Sequence, residues 1–236
     1  MYWIFRLKLL PYLPFLISEA SGIRQKGIKL PSIAENLSLG SGTSTLLILG
    51  ESTAAGVGAS SQETTLAGNF YRLLGVSWRI ENIGKNGLKA GKAYDNYKNS
   101  APPTSNKICG LVLFLGANDC FKLTAPSTFH QQLRRLIDQI SSDVNPEWIY
   151  LADIPPVHLF PAFSLRMRSF LKEQRSFLQK EMTELSKENP KVVFEPITLD
   201  LSPDFFSQDM IHPSDLGYQK IARFALDGIR RAGFSI

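Results

Sequence analysis

From residue 45 onward, short apolar runs alternate with longer stretches of mixed polarity. The runs at 45–50, 78–83, 111–116, 147–152 and 191–196 have strand length and are rich in Val, Ile, Leu or aromatic residues. The stretches at 63–75, about 90–99, 127–142, 165–188 and 214–232 are predicted helices. In the fourth, Leu165, Phe170, Leu171, Phe177, Leu178 and Leu185 recur near helical spacing with charged residues between them, and Pro190 follows its end. Five strand–helix units in series predict an α/β fold. Its parallel sheet of about five strands carries helices on both faces, joined by right-handed crossovers. In such a sheet the reactive groups sit at the carboxyl ends of the strands.

The first 44 residues do not follow this rhythm. Residues 1–17 are mostly apolar, but Arg6 and Lys8 interrupt them, and Pro11 and Pro14 are expected to break any helix. The uninterrupted apolar stretch is far short of the ~20 residues that cross a bilayer. Three readings of 1–30 stand: an interfacial membrane anchor, an arm packed on its own domain, or an export signal that is cleaved off. The corresponding locations are membrane-associated, cytoplasmic and exported. Residues 31–44, rich in Ser and Gly, are expected to be a linker. The expected division is therefore an arm and linker over 1–44 and one domain over 45–236.

Charge sharpens this division. Net charge is +5, and residues 1–30 carry five bases against the single acid Glu19. The near-neutral remainder argues against nucleic acid as a partner, which calls for a basic face on the folded domain. A membrane surface is the more natural partner of the basic arm. At 236 residues the chain is long enough for one large core. Cys109 and Cys120 bracket a predicted strand, so an extended chain holds them too far apart for a disulfide. Oligomeric state leaves no trace in the sequence.

The candidate chemistry lies at the predicted strand ends. The first strand stops at Gly50-Glu51-Ser52, the second leads into Gly84-Lys85-Asn86-Gly87, and the third into Gly116-Ala117-Asn118-Asp119. Asp209-Met210-Ile211-His212 precedes the last helix. Ser52 is the candidate nucleophile and His212 the base that takes its proton. Asp209 would fix the tautomer and orientation of that base. The backbone amides of Ser52 and Gly87 and the side-chain amide of Asn118 are candidate donors to an oxyanion. Asp119 is expected to cap or brace its loop. Of the other histidines, His130 falls on a predicted amphipathic helix and reads as surface. The stiff apolar loop 154–163 is a candidate pocket wall that contributes Pro156, His158 and Phe160 to substrate binding.

Two other classes of function compete with catalysis. A Ser/Thr-rich loop after the first strand can hold a flavin phosphate, but a binding module of that kind has no use for Asn118, Asp209 or His212. A nucleotide loop at Gly87–Ala93 is one residue short and ends in Ala where Ser or Thr should ligate Mg²⁺.

With these four blocks in this order, the chain resembles the SGNH (GDSL-type) hydrolase family from about Leu46 to Ala222. The resemblance implies a three-layer α/β/α, flavodoxin-like fold, with no metal or organic cofactor. It also implies a serine esterase acting on small-molecule or lipid esters. Carbohydrate O-acetylesterase and thioesterase activities are alternatives on the same site, and a catalytically dead scaffold is a further one. The family's serine, glycine, asparagine and histidine fall on Ser52, Gly87, Asn118 and His212, and its Asp-x-x-His falls on Asp209 and His212. One position departs: the family usually has aspartate before the serine, where this chain has Glu51. That aspartate organises the loop, so the longer glutamate is expected to shift the loop without abolishing activity.

Overall fold

A computed structural model of the chain describes residues 2–100 and 107–236. Two helices come first, α1 (Tyr2–Leu9) and α2 (Leu13–Lys26), separated by a 3₁₀ turn at Leu10–Tyr12. The expectation that Pro11 and Pro14 forbid helix is corrected. Each lies in the first turn of its helical segment, where a missing N–H costs nothing. The next elements are β1 (Asn36–Leu39), β2 (Ser44–Gly50), α3 (Leu66–Leu74), β3 (Trp78–Gly84) and α4 (Ala90–Ser100). They are followed by β4 (Ile108–Phe114), α5 (Ala117–Phe121), α6 (Pro126–Val144) and β5 (Trp148–Leu151). The chain ends with α7 (Leu165–Glu188), β6 (Val192–Val193) and α8 (Asp215–Arg231).

The sheet order is β1-β3-β2-β4-β5-β6, and only the pairing of β1 with β3 is antiparallel. One set of helices packs α3 on α8, and a second packs α4 on α6 and α6 on α7. Two expectations change at the sheet edges. Residues 36–39, read as linker, are an edge strand whose side chains alternate in exposure, with Leu37 and Leu39 against the core. At the opposite edge the strand expected over 191–196 shrinks to Val192–Val193, paired with Ile149 and Tyr150. Pro196 has no N–H to extend that ladder.

β2 is the pivot. Successive chain segments leave it in opposite directions, to β3 on one side and β4 on the other. Its last residue, Gly50, stands level with Gly84 at the end of β3 and Phe114 at the end of β4. Three loops therefore start side by side at the switch point, where open α/β sheets bind ligands. The buried amide of Asn82 on β3 donates to Ala54 O at 2.9 Å and to Ala34 O, pinning the loop after β2.

The arm is packed on the domain. Phe5 and Leu9 are fully buried. Tyr2 and Phe5 lie against Phe177, Phe5 and Tyr12 against Phe170, and the Arg166 guanidinium sits 5.3 Å above the Tyr12 ring. Glu19 accepts from the Ser164 amide at 2.8 Å and its hydroxyl at 2.7 Å, at the start of α7. Both cysteines are free.

Candidate active site

The segment after β2 folds back at once. Glu51 N–H continues the ladder to Phe114 O at 2.9 Å, and the Ala55 and Val57 amides return to Glu51 O and Ser52 O. This tight turn leaves Ser52 half-buried beside a cavity of about 220 Å³. Glu51, Asn86, Ala117, Asn118 and His212 line the same cavity. The Ser52 backbone amide has no acceptor among the described residues.

Glu51 points inward to the loop after β4. Its carboxylate accepts from the amides of Ala117 at 2.8 Å and Asn118 at 2.9 Å, and from Asn118 Nδ2 at 2.5 Å. Gly116 makes this possible. Its φ of 122° lies in a region side chains rarely enter, and a Cβ would come within 2.6 Å of Ile154. Burial pushes the Glu51 carboxyl up to about 7, and the Asp119 charge adds to this, against the three N–H donors that pull it down. Asp119 itself is buried and braces the neighbouring segments. It accepts from Ala90 N–H at 2.9 Å at the start of α4, and from Thr124 Oγ1 at 2.8 Å.

Asp209 and His212 form the other half. Asp209 Oδ2 lies 2.5 Å from His212 Nδ1, while Oδ1 accepts from the amides of Ile211 at 3.0 Å and His212 at 2.9 Å, and from Ser207 Oγ at 3.1 Å. Burial alone would raise the Asp209 carboxyl, but the His212 and Ile211 donors outweigh it and bring it to about 2. To close this turn Met210 adopts φ 57°, a conformation unusual for a side-chain-bearing residue. Two ties from α8 hold this segment to the Ser52 loop. Tyr218 OH donates to Val57 O at 2.8 Å, and Asp215 accepts from the Ser60 amide and hydroxyl at 2.8 and 2.6 Å.

Of the residues singled out from sequence, Ser52, Asn118, His212, Pro156 and Phe160 all line this cavity. Two do not. His158 lies on the short 3₁₀ turn Val157–Leu159, which packs on α7; its burial, and then the Arg175 and Lys172 charges of that helix, lower its pKa. Gly87 is exposed, and Asn86 lines the wall in its place. The pair forms a tight turn closed by Leu88 N–H to Lys85 O at 3.1 Å, with Gly87 at φ 79°. His130 is half-buried rather than on the surface, 3.1 Å from Glu181 and 3.4 Å from Glu188 on α7.

Sequence reasoning missed most of the cavity wall. Phe121, Ile197, Leu201, Phe205, Ile211 and Ile221 complete it. Ring contacts run from Phe121 to Phe163, Phe160, Phe206 and Phe205, at centroid distances of 5.3–5.9 Å. The only advance signal was a density of apolar residues in 197–211, a segment with no strand or helix period. Among the described residues no group of three or more His, Cys, Asp or Glu is placed to hold a metal ion.

A doubly wound sheet with a carboxylate-held histidine opening on an apolar cavity at its switch point defines a hydrolase rather than a phosphate- or flavin-binding module. The chain belongs to the GDSL-like lipase/acylhydrolase family, whose family model matches residues 48–220, and it is an ester-bond hydrolase. No curated relative matches the sequence. Among solved structures it resembles the psychrotrophic esterase EstA from Pseudoalteromonas sp., at 19% identity and TM-score 0.62, over 79% of this chain and 97% of that one. It also resembles the lipase/acylhydrolase from Enterococcus faecalis, at 19% identity and TM-score 0.60, over 79% and 95% of the two chains. A carbohydrate acetylesterase family member from Sinorhizobium meliloti matches at 17% identity and TM-score 0.56, over 80% and 97%. At these identities the likeness is one of fold.

Proposed function

We propose that the protein is a serine esterase that cleaves carboxylic acyl esters through an acyl-enzyme intermediate. The observation that carries this reading is the grip of Asp209 on His212, by Nδ1 and by backbone amide, at the mouth of a cavity that Ser52 and Asn118 also line. Asp209 holds Nδ1–H, which leaves Nε2 of His212 as the acceptor for the Ser52 proton. Ser52 Oγ attacks the ester carbonyl, and charge develops on the carbonyl oxygen. The Ser52 amide, the second N–H of Asn118 Nδ2 and the Gly87 amide beside Asn86 are the donors assigned to that oxygen. His212 then gives its proton to the leaving alcohol. It next activates a water, which attacks the acyl carbonyl, releases the acid and restores Ser52.

The cavity wall favours an acyl chain over an acetylated sugar or a thioester carrier as the group bound there. A sugar would bring hydroxyls against Phe121, Phe160, Phe205, Ile197, Leu201 and Ile211, none of which offers them a hydrogen bond. We read residues 36–236, which include the edge strand β1, as the hydrolase domain, and residues 1–30 as the part that brings it to a membrane surface. No helix among the described residues is long and apolar enough to cross a membrane. Hydrolysis of p-nitrophenyl acetate and butyrate tests the reaction. Ser52→Ala is expected to abolish turnover, and a variant that kept the wild-type rate would end the proposal.

A further inference from the structure

The helix α1 is apolar on two opposite sides. Successive residues turn by about 100° around a helix. Tyr2, Phe5 and Leu9 therefore fall together on the side that packs on α7, against Phe170 and Phe177. Trp3, Ile4 and Leu7 fall on the opposite side, where Trp3 is 65% and Leu7 55% exposed. Arg6 and Lys8, both exposed, lie on the two seams between these faces. The outward apolar surface continues through Leu10, Phe15 and Ile17, each more than half exposed.

The charges of residues 1–30 are of one sign but for Glu19. Arg6, Lys8, Arg24, Lys26 and Lys29 are exposed, and none forms an ion pair among the described residues. Glu19, the single acid of the arm, is occupied by Ser164. That contact joins α2 to the segment that follows the cavity wall at Pro155, Pro156 and Phe160. Leu159 and Leu165, on either side of Phe160 and Ser164, are 50% and 81% exposed.

We infer that the outward face of α1, with Trp3, Ile4 and Leu7 in the acyl boundary and Arg6 and Lys8 at the headgroups, docks the enzyme on an anionic lipid surface. This takes the membrane location proposed above as its premise, and adds the face and the lipid charge. A helix with large apolar side chains between flanking cations lies in the plane of the interface, its apolar face immersed and its cations against acidic headgroups. The inward face packs α1 on α7, so docking also fixes the orientation of the domain on the lipid.

Co-sedimentation of the 236-residue protein with vesicles of phosphatidylglycerol and phosphatidylcholine tests this, with p-nitrophenyl butyrate hydrolysis followed in parallel. Wild-type protein is expected to sediment with the mixed vesicles and far less with phosphatidylcholine alone. Trp3→Glu/Leu7→Glu should lower binding at least about tenfold. Arg6→Gln/Lys8→Gln should lower it about fivefold per cation lost. Hydrolysis of the soluble ester should be unchanged in both, which reports that the fold is intact. Binding of the wild type that survives Trp3→Glu/Leu7→Glu overturns the assigned face, and equal binding to neutral vesicles overturns the lipid charge. Wild-type protein that binds no vesicle overturns the membrane location itself. So does a wild-type dimer in sedimentation velocity, without vesicle binding, that the Trp3→Glu/Leu7→Glu variant loses: a second copy then covers the face. Vesicle binding without ester hydrolysis would refute the esterase reading and leave this one standing.

Discussion

Raising the pH from 5 to 8 is expected to weaken the fold through one carboxyl group, Glu51. The folded protein holds the Glu51 proton to about pH 7, whereas the unfolded chain releases it near the ordinary 4.5. Between those values the folded state binds more protons, so stability falls as pH rises. The contribution is whole below 4.5 and lost above about 7. At about 1.4 kcal/mol per pH unit, that interval corresponds to about 3 kcal/mol. The group is fully buried, so solvent screening takes little from the figure. Glu51→Gln supplies the reference, because glutamine has the shape of the protonated acid and does not titrate. Urea unfolding of both proteins at pH 5, 6, 7 and 8 isolates the effect. The stability of wild type minus that of the variant should fall by about 2.5 kcal/mol across the range, since the first half unit above 4.5 lies below it. Taking the difference removes Asp153, whose carboxyl burial also raises. It removes Asp209 as well, whose depressed pKa stabilises the fold above pH 4 and is lost only as pH falls toward 2. A difference that stays constant with pH would refute the reasoning.

Other consequences follow from the same geometry. Asn118→Ala should cut kcat on p-nitrophenyl butyrate by ~10²–10³ with KM little changed, since its bond to the oxyanion forms mainly in the transition state; an unaltered kcat removes the amide from that role. Across p-nitrophenyl acetate, propionate and butyrate, kcat/KM should rise about three- to fourfold per methylene as the chain enters the apolar cavity. A flat series would contradict acyl binding there. Arg175 donates to the buried Asp153 at 2.6 Å and to Ile154 O at 2.7 Å. Arg175→Met should therefore cost about 3–5 kcal/mol in urea unfolding by stranding that carboxylate, and Asp153→Asn on the same background should recover much of it. A loss below about 1 kcal/mol would mean that Gln179 and Ile197 N–H hold Asp153 on their own.

The central sheet was legible because its strands are the chain's own apolar runs, and 45–50, 78–83 and 147–152 fall within two residues of β2, β3 and β5. What the runs do not encode is pairing at the edges. Asn36-Leu37-Ser38-Leu39 alternates in burial as a half-covered strand does, but four residues beside a Ser/Gly-rich stretch give too short a period to separate strand from linker. Its place depends on β3, where Ser38 Oγ meets the buried carboxylate of Glu81. The prolines of the arm misled for a related reason. Proline breaks a helix interior, and only the position of each helix start shows that Pro11 and Pro14 avoid it. At the site, polar residues at strand ends could be placed because a strand end is a local feature. Ile197, Leu201 and Phe205 could not, because they come together only through the tertiary packing of an irregular segment.

Glu51 is where local and tertiary information meet. Sequence alone marks it as a longer side chain in an aspartate's place, which leaves open whether it loosens the loop. In the fold its two oxygens reach across to the loop after β4 and accept three N–H groups from Ala117 and Asn118. The extra methylene thus lets a residue adjoining Ser52 hold the backbone and the side chain of Asn118 together. Only the ionised carboxylate is acceptor on both oxygens; a proton turns one of them into a competing donor. The state that best orients Asn118 is therefore the state that burial disfavours. The loss of stability as pH rises through neutrality is then the cost of an Asn118 amide held in one orientation.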